Sequence, residues 1–146
     1  MKAVYATGTN YDDTLSVLEV GTMPEPETKP FWSTIRVNSA SVNHHDVWSL
    51  QGVGLSDEQT PMILGTDAAG VLEEDIPVRK GLKAGSEVVL YTFVGTDGAG
   101  VMPGERRSIL SERYAGTMAE YTQVPSANVF AKPANLNLDE AAALGT

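Results

Sequence analysis

The longest β-prone run of the chain, Phe31 to Ala40, is followed at once by Ser41-Val42-Asn43-His44-His45-Asp46-Val47-Trp48, which holds both histidines. Within the run, Phe31, Ile35 and Val37 differ in character from Trp32, Thr34, Arg36 and Asn38, which predicts a strand with one buried face. A second stretch, Pro61-Met62-Ile63-Leu64-Gly65-Thr66-Asp67-Ala68-Ala69-Gly70, has the same design. It begins in apolar residues and ends in small polar ones, with Gly65 and Gly70 bracketing Thr66 and Asp67 as in a close backbone turn. Two such stretches predict one shared site. Imidazole, carboxylate and amide together give acid/base capacity near neutral pH and a means of orienting it. Hydrogen-bonded turns use the same residue types, so both readings stand on the residues alone.

The rest of the chain reads as short strands cut by glycine and proline. Ala3–Ala6 and Leu15–Val20 are expected strands on either side of a polar turn at Gly8–Asp13. Pro24, Pro26 and Pro30 make Met23–Pro30 an extended surface connector. His44–Gln51 predicts a short helix with Val47 and Leu50 on one face and Gly52 as its stop. Val53–Thr60 reads as a loop, Met62–Leu72 as a strand interrupted at Gly65, Ile76–Gly85 as a turn-rich link, and Glu87–Val94 as a strand. Gly95–Arg113 is glycine-rich, with a helical turn expected over Glu105–Arg113. Its glycines miss the phosphate-cradling Gly-x-Gly-x-x-Gly spacing, because Pro103 stands where the third glycine is needed. Tyr121–Pro125 and Val129–Ala131 are expected strands. Asn137 and Glu140 have the spacing of a helix N-cap and its N3 partner. The helix that they open, running through Leu144, has a well-made start and no finish, which suggests a truncated chain.

Composition narrows the function. The 146 residues suit one domain, with 42% hydrophobic and 20% charged residues as in ordinary globular proteins. A net charge of −9 argues against nucleic acid and anionic membranes as partners, since both need a basic surface. With no cysteine, disulfides and thiolate–metal sites are excluded. No signal peptide and no run of the ~20 apolar residues that spans a bilayer is present, so a cytoplasmic location is expected.

The order of segments resembles the N-terminal, GroES-like half of the medium-chain dehydrogenase/reductase family, the zinc alcohol dehydrogenases and quinone reductases. Met1-Lys2-Ala3-Val4 resembles the family's opening strand, and Val42–Trp48 falls at its first active-site turn. Leu64–Val71 falls where zinc members carry Gly-His-Glu. Gly81–Val89 is similar to a Gly-x-x-x-Gly-Asp-x-Val turn, and Gly116–Tyr121 to the Gly-x-[Phe/Met]-Ala-Glu-Tyr run. The resemblance implies a mainly β fold: a GroES-like antiparallel β-barrel with a few short helices over residues 1–146. It also implies that an NAD(P)-binding Rossmann domain is missing from this chain. Zinc members tie a lobe with four cysteines near Gly95–Arg113; with no cysteine here, the expectation is a lobe that is held by other contacts or is mobile.

The roles implied follow position by position. Asn43 falls at the family's zinc-binding cysteine, Thr66 at its histidine ligand and Asp67 at its glutamate. His45 falls at the proton-relaying hydroxyl residue and Asp46 at the aspartate behind it. Asn43 and Asp46 also resemble the Asn-x-x-Asp of zinc-free quinone reductases. The catalytic candidates are therefore Asn43, His45, Asp46, Thr66 and Asp67, with His44 toward the cofactor and no metal ligand. A satisfied structural histidine is the competing role for His45, and a solvated imidazole for His44. An improvised metal site of His44 or His45 with Asp46 and Asp67 matches no common zinc arrangement. The implied function is the substrate-binding, catalytic half of an NAD(P)-dependent oxidoreductase. It would move a hydride between nicotinamide and a small-molecule carbonyl, alcohol or activated alkene, without zinc, in a homo-oligomer. A non-catalytic GroES-like assembly or binding module is the alternative.

Overall fold

The computed structural model describes residues 1–77, 79, 81–95 and 107–146. In chain order the strands are β1 (Lys2–Ala6), β2 (Leu18–Thr22), β3 (Trp32–Ala40), β4 (Met62–Ile63), β5 (Ala68–Leu72), β6 (Glu87–Leu90), β7 (Phe93–Val94), β8 (Ser108–Ile109), β9 (Tyr121–Pro125) and β10 (Val129–Ala131). Helices α1 (His44–Leu50) and α2 (Leu138–Ala141) are short, and 3-10 turns lie at Thr14–Val17, Asp57–Gln59 and Ser126–Asn128. Every strand pairing among the described residues is antiparallel. The sheets run β2-β1-β4, β10-β6-β5-β3-β9 and β7-β8. This is the mainly β, GroES-like architecture that the resemblance implies. No helix among the described residues is long and apolar enough to cross a membrane.

The main core is β-branched and aliphatic, as a sheet packed on one face requires. Ile35, Leu72, Val88, Leu110, Val124 and Val129 are each at most 1% exposed within it. A second cluster of Ala6, Leu50, Leu55, Met62 and Leu64 carries the three-stranded sheet and anchors α1. The segment Gly116–Glu120 stitches the two sheets together: Val4 N donates to Met118 O, Glu120 N to Lys2 O, and Val37 N to Glu120 O. In this way the ends of β3 and β4 are brought to the same place.

Several elements differ from their sequence signals. Leu15–Val20 is not one strand. Asn10 Oδ1 accepts from the backbone N–H groups of Asp12 and Asp13, and Ser16 Oγ donates to Asp13 O. Side-chain hydrogen bonds of this kind compete with a ladder, so the strand begins only at Leu18. Phe31 is 84% exposed in a left-handed conformation (φ 65°), outside the buried face assigned to it. That face belongs to Ser33 and Ile35. On α1 the buried residues are Asp46, Ser49 and Leu50, whereas Val47 is exposed. Gly70 lies within β5 rather than in a turn. A side chain there would meet the Arg36 carbonyl at 2.2 Å, beside the register shift between Val37 and Ser39.

Glu87–Val94 is two strands divided at Tyr91 and Thr92. Of the Glu105–Arg113 expectation, the described part is not helical: Ser108 and Ile109 pair with β7. Residues 96–106, including the glycines at 98, 100 and 104, lie outside the described residues. Asn137 Oδ1 accepts from Glu140 N at 2.9 Å, and Glu140 Oε2 accepts from Asn137 N at 2.9 Å, so the expected capping box is formed. The helix ends at Ala141, with Ala142 as its C-cap, rather than running on through Leu144.

Candidate active site

The end of β3 and the turn between β4 and β5 deliver their polar residues to one another. Gly65 makes that turn possible: its φ is +93°, and a side chain there would meet Thr117 Oγ1 at 2.5 Å. The next two residues, Thr66 and Asp67, are then carried inward and are fully or nearly buried.

Asp67 is the centre of the arrangement. Its Oδ2 accepts from Asn43 Nδ2 at 2.8 Å and from Ser41 Oγ at 3.0 Å. Thr146 Oγ1 donates to the same carboxylate, 2.6 Å from Oδ1 and 2.5 Å from Oδ2. Asn43 Nδ2 also lies 3.0 Å from Thr66 Oγ1 and 3.3 Å from Ser41 Oγ. The two hydroxyls, Thr66 Oγ1 and Thr146 Oγ1, are 3.3 Å apart. A buried carboxylate is costly unless hydrogen-bonded. Here neutral donors stabilise the charge, and neither Lys nor Arg pairs with Asp67 among the described ion pairs. Asn43 has two amide hydrogens and three acceptors in reach, so one of its contacts is always replaceable.

Asp46 has a different position. Its carboxylate spans two segments: Oδ2 accepts from Asn43 N at 2.8 Å and Oδ1 from Gly65 N at 2.9 Å. At 5% exposure it is a brace between the start of α1 and the Gly65 turn. It also places negative charge where the helix start would otherwise favour an anion.

His45 is not in the Asp67 network. Its Nε2 lies 3.1 Å from Glu112 Oε1, and its Nδ1 lies 3.4 Å from Ser49 Oγ and 3.3 Å from Ser111 Oγ. His44 is exposed on the outer face of α1, its ring stacked on Trp48 with centroids 6.0 Å apart. The structure thus gathers Asn43, Thr66 and Asp67, ties them to Asp46, and sets both histidines apart.

Sequence reasoning missed Ser41 and Thr146 as partners of Asp67, and Glu112, Ser49 and Ser111 as partners of His45. Ser41 had a local signal, two residues before Asn43. Thr146 and Glu112 had none, because they meet the site only through the fold.

As a zinc-ligand set these residues do not fit. Around the one carboxylate stand an amide and hydroxyls, with no imidazole, and no group of three His, Cys, Asp or Glu side chains converges among the described residues. Nor do the described residues fit a dinucleotide cradle. No parallel strand pair is joined through a helix, and Asp46 already occupies the start of α1.

Among solved structures, the chain is similar to an NAD-dependent alcohol dehydrogenase at 35% identity, with a TM-score of 0.82 over 99% of this chain and 43% of that one. It is similar to a thermostable alcohol dehydrogenase from Pyrobaculum aerophilum, determined with cobalt and zinc bound, at 28% identity and a TM-score of 0.79. That match covers 99% of this chain and 44% of the other. A 2-octenoyl-CoA carboxylase reductase from a Streptomyces species shares the fold (TM-score 0.82, 22% identity, 99% of this chain and 41% of that one). The chain therefore spans less than half the length of these solved relatives. A comparison with curated proteins gave no match. The family model of the alcohol dehydrogenase GroES-like domain matches residues 29–134, and the chain belongs to that family.

Proposed function

We propose that this chain is the substrate-side, catalytic part of an NAD(P)-dependent oxidoreductase acting on a carbonyl, alcohol or activated alkene without a catalytic zinc. The observation that carries the reading is the donor set around Asp67, in which Asn43, Ser41 and Thr146 converge on one buried carboxylate and Asn43 also reaches Thr66. Its likeness to alcohol dehydrogenases, one of them NAD-dependent, supports the reaction class.

In this reading the redox chemistry is the cofactor's, held by a part of the protein outside this chain. The chain's residues bind and polarise the substrate. Asn43, only partly buried, offers its amide N–H donors to a substrate oxygen, replacing one of its internal contacts. Prearranged donors of this kind stabilise negative charge that develops during reaction. Asp67 orients those donors, Asp46 fixes the turn that carries them, and His45 supplies or stores the proton. The His44–Trp48 face is the surface offered to the cofactor.

The test is the full-length protein, purified without a histidine tag and assayed with NADH and NADPH against aldehydes, quinones and enones. Turnover that survives dialysis against a chelator is expected. Near-stoichiometric zinc that leaves together with the activity would overturn the zinc-free reading.

A further inference from the structure

The contacts of His45 fix which of its ring nitrogens can exchange a proton. Glu112, in the turn after β8, places Oε1 3.1 Å from His45 Nε2. That carboxylate is itself held in place: Ser108 Oγ donates to Oε2 at 3.2 Å, and Gln59 Nε2 donates to the Glu112 carbonyl at 2.8 Å. A side chain at Gly54 would meet Glu112 Oε1 at 2.2 Å, so the bare backbone there leaves the carboxylate its room. On the other side of the ring, Nδ1 faces two hydroxyls, Ser49 Oγ at 3.4 Å and Ser111 Oγ at 3.3 Å. Both serines are fully buried, and Ser111 adopts a left-handed conformation (φ 67°) that a non-glycine residue rarely takes.

An ionised carboxylate only accepts hydrogen bonds, whereas a hydroxyl either donates or accepts. The Nε2 facing Glu112 therefore carries its proton whether the ring is neutral or charged. Only Nδ1 changes, accepting from a serine hydroxyl in the neutral ring and donating to one in the imidazolium. We propose that Glu112 is the positioning residue of this site. It pins the Nε2 proton of His45, so that Nδ1, facing the hydroxyls of Ser49 and Ser111, is the nitrogen that takes up and gives up a proton. The backbone strain at Ser111 has a use in this arrangement, since strained conformations persist where the surrounding structure demands them. The proposal rests on His45 as the proton-handling group of the function proposed above, and it adds the nitrogen that exchanges the proton and the residues that impose it.

Long-range proton–nitrogen NMR of the full-length protein, labelled with ¹⁵N-histidine, reads the tautomer directly. A His44→Gln variant identifies which signals belong to His45. In the neutral ring, a proton on Nε2 with Nδ1 bare is expected. A neutral ring protonated at Nδ1, alone or in a mixture, overturns the proposal. Glu112→Ala should convert the single tautomer to a mixture, and Glu112→Gln, which keeps an acceptor oxygen, should retain it. An unchanged tautomer in Glu112→Ala overturns the role of Glu112. In turnover, Ser111→Ala and Ser49→Ala together should lower kcat about tenfold or more with KM little changed, in the range of a weakened proton transfer. Unchanged kcat in the double variant overturns that role of Nδ1. If His45→Ala itself keeps full kcat, the proton role of His45 in the proposed function fails, whereas the NMR result still decides whether Glu112 sets the tautomer.

Discussion

At the scale of single residues, the site is a set of neutral donors around one carboxylate, and its weak point is Asn43. Replacing it by alanine removes the amide from Asp67, Thr66 and Ser41 at once. In the full-length protein, Asn43→Ala should lower kcat by about 100-fold, the range of a lost donor to a developing oxyanion. Steady-state kinetics check this, and a variant with unchanged kcat would remove Asn43 from the polarising role. His45→Ala should act on two quantities. A proton group lost from turnover reduces kcat by roughly 10²-fold. Leaving Glu112 without its partner costs about 1–3 kcal/mol of stability. A large loss of melting temperature with kcat intact would make His45 purely structural. The grouping of Asn43, Thr66 and Asp67 was legible because each lies beside a glycine or strand end that announces a turn. The partners of His45 were not legible. Glu112 lies 67 positions away in sequence, and no local pattern ties it to a histidine.

At the scale of elements, α1 and the Gly65 turn behave as one unit because Asp46 bonds both. Asp46→Ala would leave the backbone N–H groups of Asn43 and Gly65 without acceptors, costing about 2–6 kcal/mol when each donor carries roughly 1–3. Denaturant melts of the variant and parent measure it, and a loss below about half of that range would mean that water replaces the carboxylate. The strands at Tyr121–Pro125 and Val129–Ala131 and the capping box at Asn137 and Glu140 could be read from sequence, since local chemistry alone specifies them. Leu15–Val20 could not, because hydrogen bonds from the Asn10 side chain outweigh its alternation. The buried face of α1 was misjudged for a similar reason. A carboxylate with two backbone partners turns inward more readily than Val47, which hydrophobicity favoured.

At the scale of the molecule, two sheets stitched by Gly116–Glu120 hold the site without any metal-ligand cluster among the described residues. Val42, just before α1, and Val47 and Trp48 on it are large apolar residues exposed by 79%, 41% and 51%. The 146-residue chain on its own should therefore self-associate as concentration rises, which light scattering at several concentrations would show or exclude. The same chain titrated with NADPH should give no micromolar complex, since its described residues make no phosphate cradle. A micromolar dissociation constant by calorimetry would contradict this.

The donors to Asp67 come from positions 26, 24 and 79 residues away along the chain. A binding surface spread over such separations has no counterpart in the unfolded polypeptide. Whatever occupies it draws the folding equilibrium toward the native state, by about 2.7 kcal/mol at a hundredfold excess over its dissociation constant. Thermal-shift screening can therefore find the natural substrate class before any turnover has been seen. Each ligand is then ranked by how many degrees of heat it lets the barrel withstand.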